Sequence, residues 1–206
     1  MAVSNPEPTS PAEPSSPTMA DVAESATIVG VWVVSPTSLG DARGRFSETY
    51  RRSWFPHGRE MVQANRSDKV AGSVVGLHYH LHQADYWYVP RGRAQMVLHD
   101  LRDGSPTVAA TLELELGDRN EQGVYIPPGV AHGFAALTDM TITYMVDQYY
   151  SPDDELGVAW DDPDIGADWG VADPVLSERD QANPRRADLP HGLRPLLGPG
   201  PASAVG

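Results

Sequence analysis

Three histidines, an aspartate and four aromatic residues fall within one stretch of the chain, GSVVGLHYHLHQADYWYVPRG at 72–92. His78 and His80 are two apart in a run of strand-forming residues, so an extended backbone projects both imidazoles from one face. Asp85 follows five positions after His80, and a hairpin bend before it returns its carboxylate to the same pocket. Two imidazoles and a carboxylate directed at one point suit either a metal ion or a catalytic base with its partner. Residue types alone do not choose between these.

Composition narrows the chemistry further. With 206 residues the chain fits one domain with a core large enough to need no covalent staple. It has no cysteine, which removes thiol nucleophiles, zinc–thiolate sites and disulfides, and Lys69 is its only lysine. A net charge of -13 argues against nucleic acid and anionic membrane as partners, since both are held by basic surface. No apolar run approaches the roughly 20 residues of a membrane span, and the N-terminus is acidic and proline-rich rather than signal-like. The expected compartment is the cytoplasm.

The elements that must position these residues are strands. Short β-branched or alternating runs occur at 27–34, 45–50, 61–65, 73–80, 86–89, 94–100, 108–116, 123–126, 133–137 and 141–149, punctuated by Gly, Pro, Asn and Asp. That spacing predicts an all-β antiparallel sandwich or barrel. In TLELEL at 111–116 the leucines take one face and the polar residues the other, the pattern of a half-exposed strand. Short helices are expected at 50–55 and 177–181, the second capped by Ser177. Residues 1–25 read as a disordered Pro/Ser/Glu-rich tail, 26–186 as the domain, and 187–206 as a flexible C-terminal tail.

Taken with its glycines, the opening stretch resembles the first cupin motif, and Pro127, Gly129 and His132 in YIPPGVAHGF resemble the second, although Ala136 stands where a polar residue often closes it. The resemblance implies a double-stranded β-helix, or jelly roll. It also implies a metal set of His78, His80, Asp85 and His132, suited to Fe, Mn, Ni, Co or Zn. The plainer alternative is a group of strand histidines with ordinary partners.

A longer resemblance covers residues 31 to about 186. The blocks GDARGRFSETY at 40–50, QANRS at 63–67, GLHY at 76–79, DLRDGSPT at 100–107, IPPGVAHGF at 126–134, YMVDQYYSPDDE at 144–155 and LSERD at 176–180 are similar, in order and spacing, to the dTDP-4-dehydrorhamnose 3,5-epimerase family. Members are homodimeric cupins that need no cofactor and invert carbons beside the 4-keto group of a nucleotide-linked 6-deoxysugar. The resemblance implies His78 as general base, Asp180 as the carboxylate orienting it, and Tyr144 as the acid on the opposite face. It implies substrate contacts from Arg43, Glu48, Gln63, Asn65, His132 and Tyr150, some across a dimer interface. Each role has a bland competitor: Ser177-x-x-Asp180 reads as a capping box, Tyr144 as a core tyrosine, and His132 as a strand-end residue.

The pattern breaks at three positions. The family carries an arginine, a glutamine and a lysine where this chain has Val75, His80 and Asp85. An aspartate in place of the lysine opposes a developing enolate, while His80 and Asp85 complete the cupin metal set, so a divalent cation is one way to replace the lost charge. Three readings follow: a sugar-nucleotide epimerase, a metal-dependent cupin acting on another small carbonyl or sugar, and an inactive sugar-binding homologue.

Overall fold

The computed structural model describes residues 19–55 and 59–197. Its strands are β1 (Ala20–Glu24), β2 (Trp32–Pro36), β3 (Ser38–Asp41), β4 (Gly44–Ser47), β5 (Gln63–Lys69), β6 (Val74–Tyr79), β7 (Asp85–Arg91), β8 (Arg93–Asp100), β9 (Thr111–Gly117), β10 (Gly123–Ile126), β11 (Val130–Ala136), β12 (Met140–Val146) and β13 (Leu156–Gly157). One helix, α1 (Glu178–Ala182), follows them. A six-stranded sheet runs in the order β1-β2-β10-β7-β12-β5 and a five-stranded sheet in the order β13-β6-β11-β8-β9, while β3 and β4 form a separate hairpin. This is the cupin-type jelly roll. No helix among the described residues is long and apolar enough to cross a membrane.

Alternation along the strands sorts the side chains into three layers. Trp87, Val89, Met96, Leu98, Phe134 and Ile142, drawn from both sheets, fill the space between them. Their neighbours point outward: Tyr86 and Tyr125 pack with Trp54 and Phe55 behind the six-stranded sheet, and Leu77, Tyr79 and Val97 pack with Val158, Ile165 and Trp169 behind the other. Each fully buried aliphatic or aromatic side chain contributes about 1.5–3 kcal/mol, so the barrel is held from inside and outside. The alternation in β9 behaves as its sequence requires, with Leu112 and Leu114 against the core and Glu113 exposed.

One departure from alternation matters for chemistry. His132 pairs with His78 but Phe134 pairs with Val75, so β6 carries one extra residue there, a β-bulge. Gly76 sits in the bulge at φ +113, and a Cβ on it would lie 2.8 Å from the His132 carbonyl and from Gly133 Cα. Only glycine fits. The bulge resets the phase of the strand, so that Val75 and His78 both face the interior.

Several expected boundaries are corrected. Ala20–Glu24, assigned to a structureless tail ending at 25, is a strand paired with β2, because Ala20 and Val22 pack behind the six-stranded sheet. The tail expected from 187 is docked as far as 197. Leu189 is buried, Tyr79 donates to the Leu193 carbonyl at 2.9 Å, and Asp103 bonds the backbone of Pro195 and Leu197. The remaining parts of both predicted tails, 1–18 and 198–206, lie outside the described residues. SLGD at 38–41, between the strand runs expected at 27–34 and 45–50, is a further strand, β3, and the helix expected at 50–55 is a single 3-10 turn, Arg52–Trp54.

Candidate active site

A cavity of about 210 Å³ lies between the sheets, with Val75, His78, His132 and Phe134 from the five-stranded sheet on one wall and Ser67, Asp85, Trp87, Ile142 and Tyr144 from the six-stranded sheet on the other. His80, Gln83 and Glu155 close its end. Asp85 does not arrive by a hairpin. The chain crosses from β6 in one sheet to β7 in the other, so its carboxylate faces the histidines from the opposite wall.

His78 Nε2 lies 2.6 Å from Asp180 Oδ1. Ser177 caps the helix and engages Asp180 twice: the Asp180 backbone N–H donates to Ser177 Oγ at 3.1 Å, and that hydroxyl donates to Asp180 Oδ2 at 2.9 Å. The aspartate therefore meets the helix cap through one carboxylate oxygen and His78 through the other. Burial pushes the Asp180 carboxyl up, but His78, the Ser177 hydroxyl and the Gly76 N–H together hold it below the usual range. An ionised Asp180 fixes the ring proton of neutral His78 at Nε2. The lone pair is then at Nδ1, which lies 3.7 Å from Glu155 Oε1.

Tyr144, in register with Trp87 on β7 and Asn65 on β5, projects into the same cavity. Burial raises its pKa, with Asp85 and Glu155 adding to the effect, so the phenol keeps its proton at neutral pH. An imidazole with a carboxylate partner on one wall and a protonated phenol on the other is a proton acceptor facing a proton donor.

The four residues of the expected metal set do not converge as one group. His78 turns to Asp180, while His80, Asp85 and His132 place one ligand atom each within 4.8 Å of one another. His80 donates Nδ1–H to the Asp154 carbonyl at 2.7 Å and His132 donates to the Val130 carbonyl at 2.9 Å, leaving Nε2 of both as the nitrogen turned to Asp85. Asp85, 3% exposed, accepts from Gln83 Nε2 at 2.9 Å and Trp87 Nε1 at 3.0 Å. Burial drives the His132 pKa down and keeps that ring neutral.

Among the other expected contacts, His132 lines the cavity and five do not. Arg43 is exposed on the β3–β4 hairpin and paired with Asp41, Glu48 is paired with Arg51, and Tyr150 is exposed. Gln63 bonds Asn65 at 2.9 Å, both sharing the β5 face of Ser67 and Lys69. Sequence reasoning passed over Ser67, Lys69, Gln83, Trp87 and Glu155 as cavity residues. Alternation from Gln63 was the available signal for Ser67 and Lys69.

The fold and cavity define a cupin-type barrel built for acid–base work. Residues 25–188 match the profile of the dTDP-4-dehydrorhamnose 3,5-epimerase family, and the chain belongs to that family. It is 38% identical over 176 residues to the dTDP-4-dehydrorhamnose 3,5-epimerase of Sinorhizobium fredii, covering 81% of this chain and 90% of that one. It is also 38% identical over 162 residues to the dTDP-4-dehydrorhamnose 3-epimerase of Streptomyces niveus, covering 75% and 78%. Among solved structures it is similar to NovW, a 4-keto-6-deoxy sugar epimerase from the novobiocin cluster of Streptomyces spheroides, with a TM-score of 0.82, 34% identity and coverage of 91% and 98%. The Legionella pneumophila RmlC structure in complex with dTDP-4-keto-L-rhamnose superposes with a TM-score of 0.81 at 29% identity, covering 87% and 100%.

Proposed function

We propose that the protein is an isomerase that epimerises a dTDP-linked 4-keto-6-deoxyhexose at C3, C5 or both, in deoxysugar or polysaccharide biosynthesis. The observation that carries this reading is the 2.6 Å contact between His78 and Asp180 on the wall opposite Tyr144. A proton α to a ketone leaves readily only to a base held beside it, and Nδ1 of His78, whose Nε2 is held by Asp180, is the nitrogen that takes it. Asp180 stabilises the imidazolium that forms. Tyr144 returns a proton to the other face of the carbon, which inverts it. One proton is taken and one is given, so no oxidant or reductant is consumed. Incubation with dTDP-4-keto-6-deoxyglucose, then reduction and sugar analysis, tests this: a 6-deoxyhexose inverted at C3 or C5 is expected. Binding with no altered sugar is the result of an inactive homologue and counts against the proposal.

A second reading is favoured by His80, Asp85 and His132. Their donor set fits a divalent cation such as Fe, Mn, Ni, Co or Zn, with each imidazole fixed by a backbone carbonyl. Such an ion supplies Lewis acidity toward a carbonyl oxygen. Metal analysis of protein purified without a nickel column decides it, and less than about a tenth of an equivalent per chain, well short of the full site that metal-dependent chemistry requires, sinks it.

We also assign a homodimer. Arg43 sits away from the cavity, on a hairpin whose Leu39 and Phe46 are 54% and 63% exposed, and such an apolar edge suits a second copy. A monomer in sedimentation would argue against this.

A further inference from the structure

Removing a proton beside a ketone puts negative charge on the ketone oxygen, and the cavity already holds the carboxylates of Asp85 and Glu155. Inside a protein site, where water screens little, those charges oppose another negative charge. A cation is needed, and neither Val75 nor Asp85 on the cavity walls supplies one.

Lys69 is the only lysine in the chain and the only lysine or arginine lining this cavity among the described residues. It is the last residue of β5, two beyond Ser67 on the same face, and opposite Met140 on β12. Its ammonium makes no hydrogen bond or ion pair among the described residues. Lys69 also borders an open cleft with Arg66, Asp68, Arg91 and Asp139, but the carboxylates there are engaged. Asp68 holds Arg66 and the Thr141 hydroxyl, and Asp139 accepts from the Ala71 N–H. Nothing among the described residues claims this charge.

We infer that Lys69 supplies the cation that faces the enolate oxygen. At about 210 Å³ the cavity falls below the roughly 300–1,000 Å³ of sites that enclose a drug-sized ligand. That size fits a hexose ring rather than a whole nucleotide sugar, so the anion that forms inside the cavity Lys69 lines is the sugar's own oxygen rather than the diphosphate. An ammonium on a flexible stem meets that oxygen without the fixed fork of an arginine.

This inference rests on the epimerase reading, and the test separates the two. Deuterium exchange into dTDP-4-keto-6-deoxyglucose is followed by NMR for wild type, Lys69→Met and Lys69→Arg, each with and without a chelator. The expected result is chelator-resistant exchange in wild type, kcat lower by about 10²–10³-fold in Lys69→Met with KM little changed, and partial recovery in Lys69→Arg. Wild-type kcat in Lys69→Met overturns the inference, as does a raised KM with kcat intact, which is the signature of diphosphate binding. So does exchange lost to the chelator but insensitive to Lys69. Equal loss in both variants with a lowered Tm assigns Lys69 a structural role and overturns it too. No exchange in wild type removes the epimerase reading itself, and the inference with it.

Discussion

His78 and Asp180 are 102 residues apart in sequence and 2.6 Å apart in space. The contact joins a bulged strand of the five-stranded sheet to a five-residue helix near the chain end. The bulge at Gly76 aims the imidazole, and the Ser177 cap aims the carboxylate. Neither Gly76 nor Ser177 lines the cavity, yet both set which ring nitrogen faces it.

Asp180→Asn should keep the fold, because an amide oxygen still accepts from Ser177 Oγ. It no longer stabilises the imidazolium and no longer fixes the ring proton. A fall in kcat of about 10²–10⁴-fold with Tm within a few degrees is expected from kinetics and thermal melting. An unaffected kcat would assign the aspartate to capping alone.

Tyr144→Phe removes the proton donor while leaving His78 in place. Exchange of the α proton with solvent should persist, with the proton returned from the face it left, so inversion falls much more than exchange does. Comparing deuterium content with product configuration by NMR reads both. Parallel loss of exchange and inversion would mean that Tyr144 does something other than protonate the far face.

His99 lies outside the site, fully buried on β8, with Nδ1 2.9 Å from the Thr111 hydroxyl and Nε2 without a partner among the described residues. Burial, with Arg186 adding to it, lowers its pKa from 6.5 to about 4. The unfolded chain binds a proton at this residue near pH 6.5 and the folded one does not until about pH 4. Its contribution to stability is therefore complete above pH 6.5 and is lost as pH falls toward 4. The loss amounts to at most about 3 kcal/mol. Urea unfolding at several pH values should show this slope in wild type and a flatter one in His99→Gln; matching slopes would contradict it.

Much of this was legible in the sequence because strand alternation reports which side chains face inward. The TLELEL run and the Ser177 cap follow from residue type and spacing. What was not legible depends on long-range geometry. The bulge at Gly76 breaks the two-residue period, and a sequence cannot show that a glycine is there to admit a neighbouring strand's carbonyl. Asp85 looked like the far arm of a hairpin because a short Gly-free link can equally cross between sheets. Ala20–Glu24 and 187–197 looked like tails because their apolar residues are sparse, and only the barrel's outer faces give them something to cover.

The central claim is that His78 takes a proton from the carbon beside a sugar ketone. The direct measurement is deuterium incorporation at C3 and C5 of dTDP-4-keto-6-deoxyglucose in D2O at neutral pH, followed by NMR with wild type and with His78→Asn. Loss of a proton signal with wild type, slowed by about 10²–10⁴-fold in the variant while dTDP affinity is kept, is the expected result. No incorporation with wild type, or undiminished incorporation with His78→Asn, would contradict the account.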